Sequence, residues 1–286
     1  MRTIRTVAEL RTAVRSWRSD PDAAQVGLVP TMGALHEGHL SLVRQAAADC
    51  GLVVVSLFVN PTQFGLGEDL DAYPRDEARD FELAAAAGAQ LFYAPPPEVV
   101  YPPGFDTRVE VGGLTDTLDG DPGRRGAGHF HAVTTVVTKL LNMAQPDVAY
   151  LGQKDAQQAL VIRRLVRDLD LPVRVEVCPT VRDGDGLALS SRNAYLEPAE
   201  RPRALGLSRA LAAGQRTVAG GERNAEAVLA AARAELDAAG VEPEYLELRS
   251  ATDLSPVERV NGSTLLLVAA HVGRARLIDN AILGDT

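Results

Sequence analysis

The segment QVGLVPTMGALHEGH, residues 25–39, decides the fold. Gln25 to Pro30 is a short apolar run closed by a proline, the pattern of a buried strand. Thr31 to Gly38 is a loop with two glycines. From His39 to Asp49, Leu40, Val43 and Ala47 recur at helical spacing. Strand, glycine loop and helix in succession form the opening half of a βαβ unit.

The same rhythm continues outward. Leu52–Val59 is a β-branched second strand, and residues 61–73 form a long Gly/Asp-rich loop. Asp76–Ala87 is a helix halted by Gly88, Gln90–Tyr93 a third strand, and Thr107–Val111 a further extended piece. Phe130–Met143, Val148–Leu151, Asp155–Leu169 and Val173–Val177 then read helix, strand, helix, strand. Upstream, Thr6 and Glu9 make a capping box that opens a first helix ending near Arg18. Strands alternating with helices predict a Rossmann-like, doubly wound parallel sheet in an α/β domain of residues 1–180. Beyond Pro179 the order changes. Helical stretches at Arg201–Ala219 and Ala225–Ala238 precede strand-like pieces at Glu244–Leu248, Ser263–Val272 and Ala275–Ile278. Residues 181–286 are therefore expected to form a smaller α+β domain, a lid over the site.

Bulk properties narrow the function. The 286 residues suffice for a large core without a disulfide or structural metal. The net charge of −9 speaks against a nucleic-acid partner, which normally meets a basic face. The longest apolar run, Leu52–Val59, is too short to span a bilayer. The cysteines, Cys50 and Cys178, are far apart and form no CxxC pair, so a reducing cytoplasm is expected. Of 29 basic residues only Lys139 and Lys154 are lysines. A lysine kept amid such a bias points to a site that needs a compact point charge rather than a planar fork.

Five segments carry the residues of chemistry. His36-Glu37-Gly38-His39 follows the first strand and opens a helix, where free N–H groups and the positive dipole end attract phosphate. The spacing is one residue short of the zinc-protease HExxH. Gly152-Gln153-Lys154-Asp155 ends another strand, so its lysine can reach a phosphate and Asp155 can cap a helix or bind a ribose hydroxyl. Asp183 to Asn193 joins a glycine turn to two hydroxyls and Arg192, all anion ligands. Gln63 offers donor and acceptor to a small hydroxy acid. His129 and His131 make a His-x-His pair with no third metal ligand nearby. Walker A, GxGxxG and GxSxG signatures are absent. Solvated loops, an N-cap aspartate and an interdomain linker would account for these segments taken singly.

In combination they resemble the nucleotidylyl-transfer superfamily, with HEGH in place of its HIGH motif and Leu189-Ser190-Ser191-Arg192 in place of KMSKS. PTMGALHEGH, LFVNPTQFG, LDAYPRD, the Gly-His-Phe segment, LGQKDAQQ and DGLALSSRNAYL, in this order, resemble the pantoate–β-alanine ligase family over residues 25–200, and RLIDN at 276–280 extends the likeness. The resemblance implies that ATP contacts Met32, Gly33, Ala34, Leu35, His36, Glu37, Gly38 and His39, with His39 a proton donor and His36 near the phosphates. It implies further ATP contacts at Gly152, Gln153, Lys154, Asp155, Val181, Leu189, Ser190, Ser191 and Arg192, with Lys154, Ser190 and Arg192 acting in catalysis. Gln63 and Gln158 would hold pantoate, with Thr31, Tyr73 and His129 beside the substrates. The implied reaction makes a pantoyl adenylate from ATP and pantoate, with Mg²⁺ on the phosphates. The amine of β-alanine then displaces AMP. A cytoplasmic homodimer is expected. The chain departs from the family pattern at Gly126, where an arginine is usual and Arg125 sits one residue earlier, and mildly at Gln153 and Leu189. A nucleotidylyltransferase that keeps its nucleotide attached, another small-acid adenylating enzyme, and a regulatory nucleotide-binding module are the competing readings.

Overall fold

A computed structural model describes residues 1–65 and 70–284. Positions 66–69 of the expected 61–73 loop lie outside the described residues. In chain order the elements are β1 (Arg2–Ile4), α1 (Val7–Arg18), β2 (Val26–Thr31), α2 (Glu37–Asp49), β3 (Leu52–Leu57), α3 (Glu77–Ala86), β4 (Leu91–Tyr93), α4 (Pro97–Val100), α5 (Ala127–Ala144), β5 (Val148–Gly152), α6 (Ala156–Asp168), β6 (Arg174–Cys178), α7 (Arg201–Ala219), α8 (Ala225–Ala238), β7 (Pro243–Ser250), β8 (Thr264–Val272) and β9 (Ala275–Leu283). They divide into two compact units. The first comprises residues 1–152 and 161–178, the second residues 153–160 and 179–286. The sequence reading set a single boundary at 180/181, whereas residues 153–160 group with the C-terminal residues.

The first unit is built on a parallel sheet of order β1-β4-β3-β2-β5-β6. β2 and β3 are buried along nearly their whole length. Continuous apolar runs are what a parallel sheet covered on both faces requires. Val29, Val43, Val55, Phe92 and Tyr150 pack in one core cluster. The strand order reverses between β2 and β5, and the carboxyl ends of strands at such a reversal are where open α/β sheets bind ligands. The capping box of Thr6 and Glu9 is present at α1. Two features differ from the sequence reading. β1 is a three-residue edge strand, too short to show a period. Thr107–Val111 joins no ladder, because the Thr135 hydroxyl accepts from Val109 N–H at 3.0 Å and the Thr134 hydroxyl donates to Val109 C=O at 2.6 Å.

The second unit lays α7 and α8 on an antiparallel sheet of order β7-β8-β9. Its core includes Leu207, Leu211, Val228, Leu236, Leu266 and Val268. At Gly214 a β-carbon would stand 2.5 Å from Leu266 Cδ2, so glycine lets α7 approach β8.

Candidate active site

The turn after β2 is set by backbone geometry and one buried acid. Gly33 and Ala34 both have positive φ, at 83° and 51°. The Asp80 carboxylate, from α3, accepts from Ala34 N–H at 2.8 Å and Leu35 N–H at 2.7 Å. Asp80 is 1% exposed. Burial pushes its carboxyl up, and the two N–H groups pull it partly back down. A β-carbon on Gly33 would meet Asp80 Oδ2 at 3.0 Å, so the turn is fitted closely around the carboxylate. Thr31 supports the same corner by donating its hydroxyl to Ser56 C=O at 2.8 Å.

The two histidines of HEGH cap α2 reciprocally. His36 Nδ1 accepts from Gly38 N–H at 3.2 Å, and His39 Nδ1 accepts from His36 N–H at 3.4 Å. Their ring centroids lie 4.1 Å apart. In the neutral rings an accepting Nδ1 puts the proton on Nε2. Each ring then carries one oriented N–H, suited to a phosphate oxygen. The side chains of the remaining segment are used differently. Leu35 is buried in the core, and exposed Glu37 pairs with Arg44. What Leu35 can offer a ligand is therefore its backbone carbonyl, its N–H being spent on Asp80.

Gln63 ends a short 3₁₀ helix after β3, capped by Asn60. Its carbonyl faces His129 Nδ1 at 3.3 Å and Arg125 Nη2 at 3.5 Å, while Arg125 Nη1 donates to His129 Nε2 at 3.1 Å. The carbonyl fixes the proton on Nδ1, so Nε2 can accept from the guanidinium. Arg125, one residue before the usual arginine position, thus stands against Gln63 and His129. His131 instead faces Glu110. Tyr73 is buried, its ring edge-on to Phe64 at 5.6 Å.

In the second unit, Gln153–Asp155 form one 3₁₀ turn ahead of α6, with Gln158 half-buried on its first turn. The Lys154 side chain is 20% exposed, with Nζ 3.4 Å from Asp155 Oδ1. A cleft is lined by Lys154, Ser190, Asn193 and Asp279 among others. The segment expected to be either a linker or an anion loop is an ordered turn. Gly186 N–H donates to Asp183 C=O, Asp183 N–H to Leu187 C=O, and Leu189 N–H to Val181 C=O. Arg201 fastens it through Asp183 at 2.6 Å and Asp185 at 2.8 Å. These bonds hold the Asp185 carboxyl below the usual range, with Arg201 the main cause. Ser190 Oγ accepts from Arg192 N–H at 3.3 Å and starts a 3₁₀ helix over Ser191–Tyr195.

The sequence reading missed Asp80, and it noted Asn280 only as the end of RLIDN, with no role. Asn280 Nδ2 donates to the carbonyls of Gln153 and Lys154 at 2.9 and 3.0 Å, and Gln153 Nε2 donates to Asn280 Oδ1 at 2.9 Å. Two signals were available. Asp80 breaks a helical apolar face shared with Ala84, and Asp279-Asn280 interrupts an apolar strand.

Comparison with known proteins shows the family. The family profile of pantoate-beta-alanine ligase matches residues 2–282. The chain belongs to the pantoate–β-alanine ligase family. Pantothenate synthetase of Moorella thermoacetica is 50% identical over 284 residues, covering 99% of both chains. That of Cereibacter sphaeroides is 52% identical over 278 residues, covering 97% of this chain and 98% of the relative. Among solved structures, pantothenate synthetase from Thermus thermophilus superposes with a TM-score of 0.92 at 46% identity over the full length of both chains. The Francisella tularensis pantoate-beta-alanine ligase, solved with beta-gamma ATP and beta-alanine, gives 0.79 at 31% identity, covering 99% of this chain and 97% of that one.

Proposed function

We propose that this enzyme condenses pantoate with β-alanine at the expense of ATP, forming pantothenate, AMP and pyrophosphate through a pantoyl adenylate. The observation that carries the reading is the full-length match to the pantoate–β-alanine ligase family, together with the reciprocal histidine cap that presents two oriented donors.

The reaction needs alignment and positive charge more than covalent help. Pantoate carboxylate attacks the α-phosphorus, and pyrophosphate leaves carrying the negative charge. Aligning the reactants alone supplies roughly 7–11 kcal/mol of such a barrier. In the first unit, His36 and His39 donate to phosphate oxygens, with His39 the proton donor. Met32 to Gly38 line the nucleotide through backbone, while Gln63, with His129, Thr31 and Tyr73 nearby, orders the small acid. Gly152, the last residue of the first unit before 161, adds a nucleotide contact. In the second unit, Lys154 stabilises the transferring phosphate, Ser190, Ser191 and Arg192 bind phosphate oxygens, and Gln153, Asp155, Val181 and Leu189 complete the nucleotide contacts. Gln158 holds pantoate. The β-alanine amine then attacks the acyl carbon and AMP departs, so no serine or cysteine nucleophile is called for. Among the described residues no three His, Cys, Asp or Glu side chains converge as a metal cage. Mg²⁺ brought by ATP would rest on phosphate oxygens, and no step is assigned to it.

A homodimer in the cytoplasm, with residues 181–286 closing over substrate, completes the proposal. Among the described residues no helix is long and apolar enough to cross a membrane. A coupled AMP-release assay tests the reading. Turnover should require ATP, pantoate and β-alanine together, and pantoate alone should support ATP–pyrophosphate exchange. Exchange without pantoate dependence would overturn it in favour of another adenylating or nucleotidylyl-transfer activity.

A further inference from the structure

We infer that Asn280 is a positioning residue that fixes the backbone of Lys154 for adenylate formation. The inference rests on the assignment of Lys154 to the transferring phosphate. Asn280 is 4% exposed. Its amide nitrogen donates to both carbonyls of the Gln153-Lys154 turn, and its oxygen accepts from the Gln153 side chain. Both donors and one acceptor of the amide are thus spent on one turn, at distances of 2.9–3.0 Å.

The purpose of such a tie follows from the side chain it serves. Lysine is a point charge on a flexible four-carbon stem, with about 2 kcal/mol of rotamer entropy. Its head is placed only as well as its backbone is, and a shift of about 1 Å at a reacting centre costs on the order of 10²-fold in rate. The tie is also neutral. A carboxylate at position 280 would set negative charge beside the turn and oppose the two carbonyl oxygens.

The adjacent residue reinforces the register. Asp279, 4% exposed, accepts from Arg182 at 2.6 and 3.0 Å, and Arg182 also donates to Gly186 C=O at 3.2 Å. Successive residues of a strand face opposite ways. One strand therefore holds the Lys154 turn with Asn280 and the turn leading to Ser190 with Asp279.

The test is a double-mutant cycle read by pantoate-dependent ATP–pyrophosphate exchange. Asn280→Ala should lower kcat at least about tenfold, while ATP KM stays within about threefold of wild type, as expected of a residue that acts through the Lys154 backbone. Placed in the Lys154→Ala background, the same change should cost less than about twofold more, since the group it positions is gone. Full kcat in Asn280→Ala, or equal losses in both backgrounds, would overturn the inference. If Lys154→Ala itself runs at the wild-type rate, the assignment of Lys154 fails and the inference falls with it, by a separate readout. Should Asn280→Ala not fold, Asn280→Leu carries the same cycle, keeping the volume and the neutrality while losing both donors.

Discussion

The turn after β2 and the turn after β5 are held in opposite ways. At Ala34-Leu35 a buried carboxylate gathers backbone N–H groups, and at Gln153-Lys154 a buried amide gathers backbone carbonyls. The difference follows from what each turn presents. The first presents the His36 and His39 rings, and it tolerates a negative anchor whose own carboxyl is pushed up by burial. The second presents a cation that already faces the Asp155 carboxylate at 3.4 Å, and a neutral anchor adds no further negative charge to the turn. Anchor chemistry is thus chosen by the charge of the group displayed as well as by the backbone atoms to be tied.

The largest expected effect comes from removing the displayed cation. Lys154→Ala should cut pantoate-dependent exchange at least about 10²-fold, the scale for one lost preorganised charge donor. A near-wild-type rate would take the second turn out of the comparison. Removing the first anchor comes next. Asp80→Ala strands two buried N–H groups and should cost about 2–3 kcal/mol of stability, read as a lower urea midpoint with unchanged slope. An unchanged midpoint would show that the carboxylate holds nothing. Arg192→Ala should then raise ATP KM or lower kcat by about tenfold, the worth of one charge-assisted contact. If neither moves, the loop after Leu189 handles no phosphate.

The smallest effect tests the sign of the Asp80 carboxyl. Burial raises its folded-state value above the unfolded one, so the native state binds its proton more tightly. The cost of ionising it is present above the folded value and is relieved as pH falls toward about 4, the ordinary carboxylate range. Wild type should therefore gain Tm relative to Asp80→Asn between pH 7 and pH 4.5. A flat difference would mean that hydrogen bonding to the carboxylate balances its burial, and a loss of wild-type Tm toward acid that it outweighs it; either overturns the sign.

The sheet was legible because its strands are continuous apolar runs and its helices carry capped, periodic faces. The segments HEGH, QKD and SSR stood out because each follows a strand or a glycine. Asp80 did not, and Asn280 stood out only as the end of RLIDN, because what they hold lies 46 and 126 residues away. A hydrogen bond across that distance leaves only a polar residue on an apolar face. Arg125 was visible, but its approach to His129 and Gln63 depends on how the turn before α5 folds, which no periodicity reports.

The scarcity of lysine has a consequence for chemical self-damage. A mixed anhydride that escapes its site acylates amines, and a guanidinium, always protonated, offers it no nucleophile. The chain holds 29 basic residues, of which only Lys139 and Lys154 are amines. Both cysteines are buried, and burial pushes both thiols up. Of the two, Lys139 stands outside the proposed site. Burial lowers its pKa, while the Phe105 ring, 4.3 Å from Nζ, favours the charged form. Under the proposed mechanism, a pantoyl group found on Lys139 by mass would be a record of leakage of the adenylate.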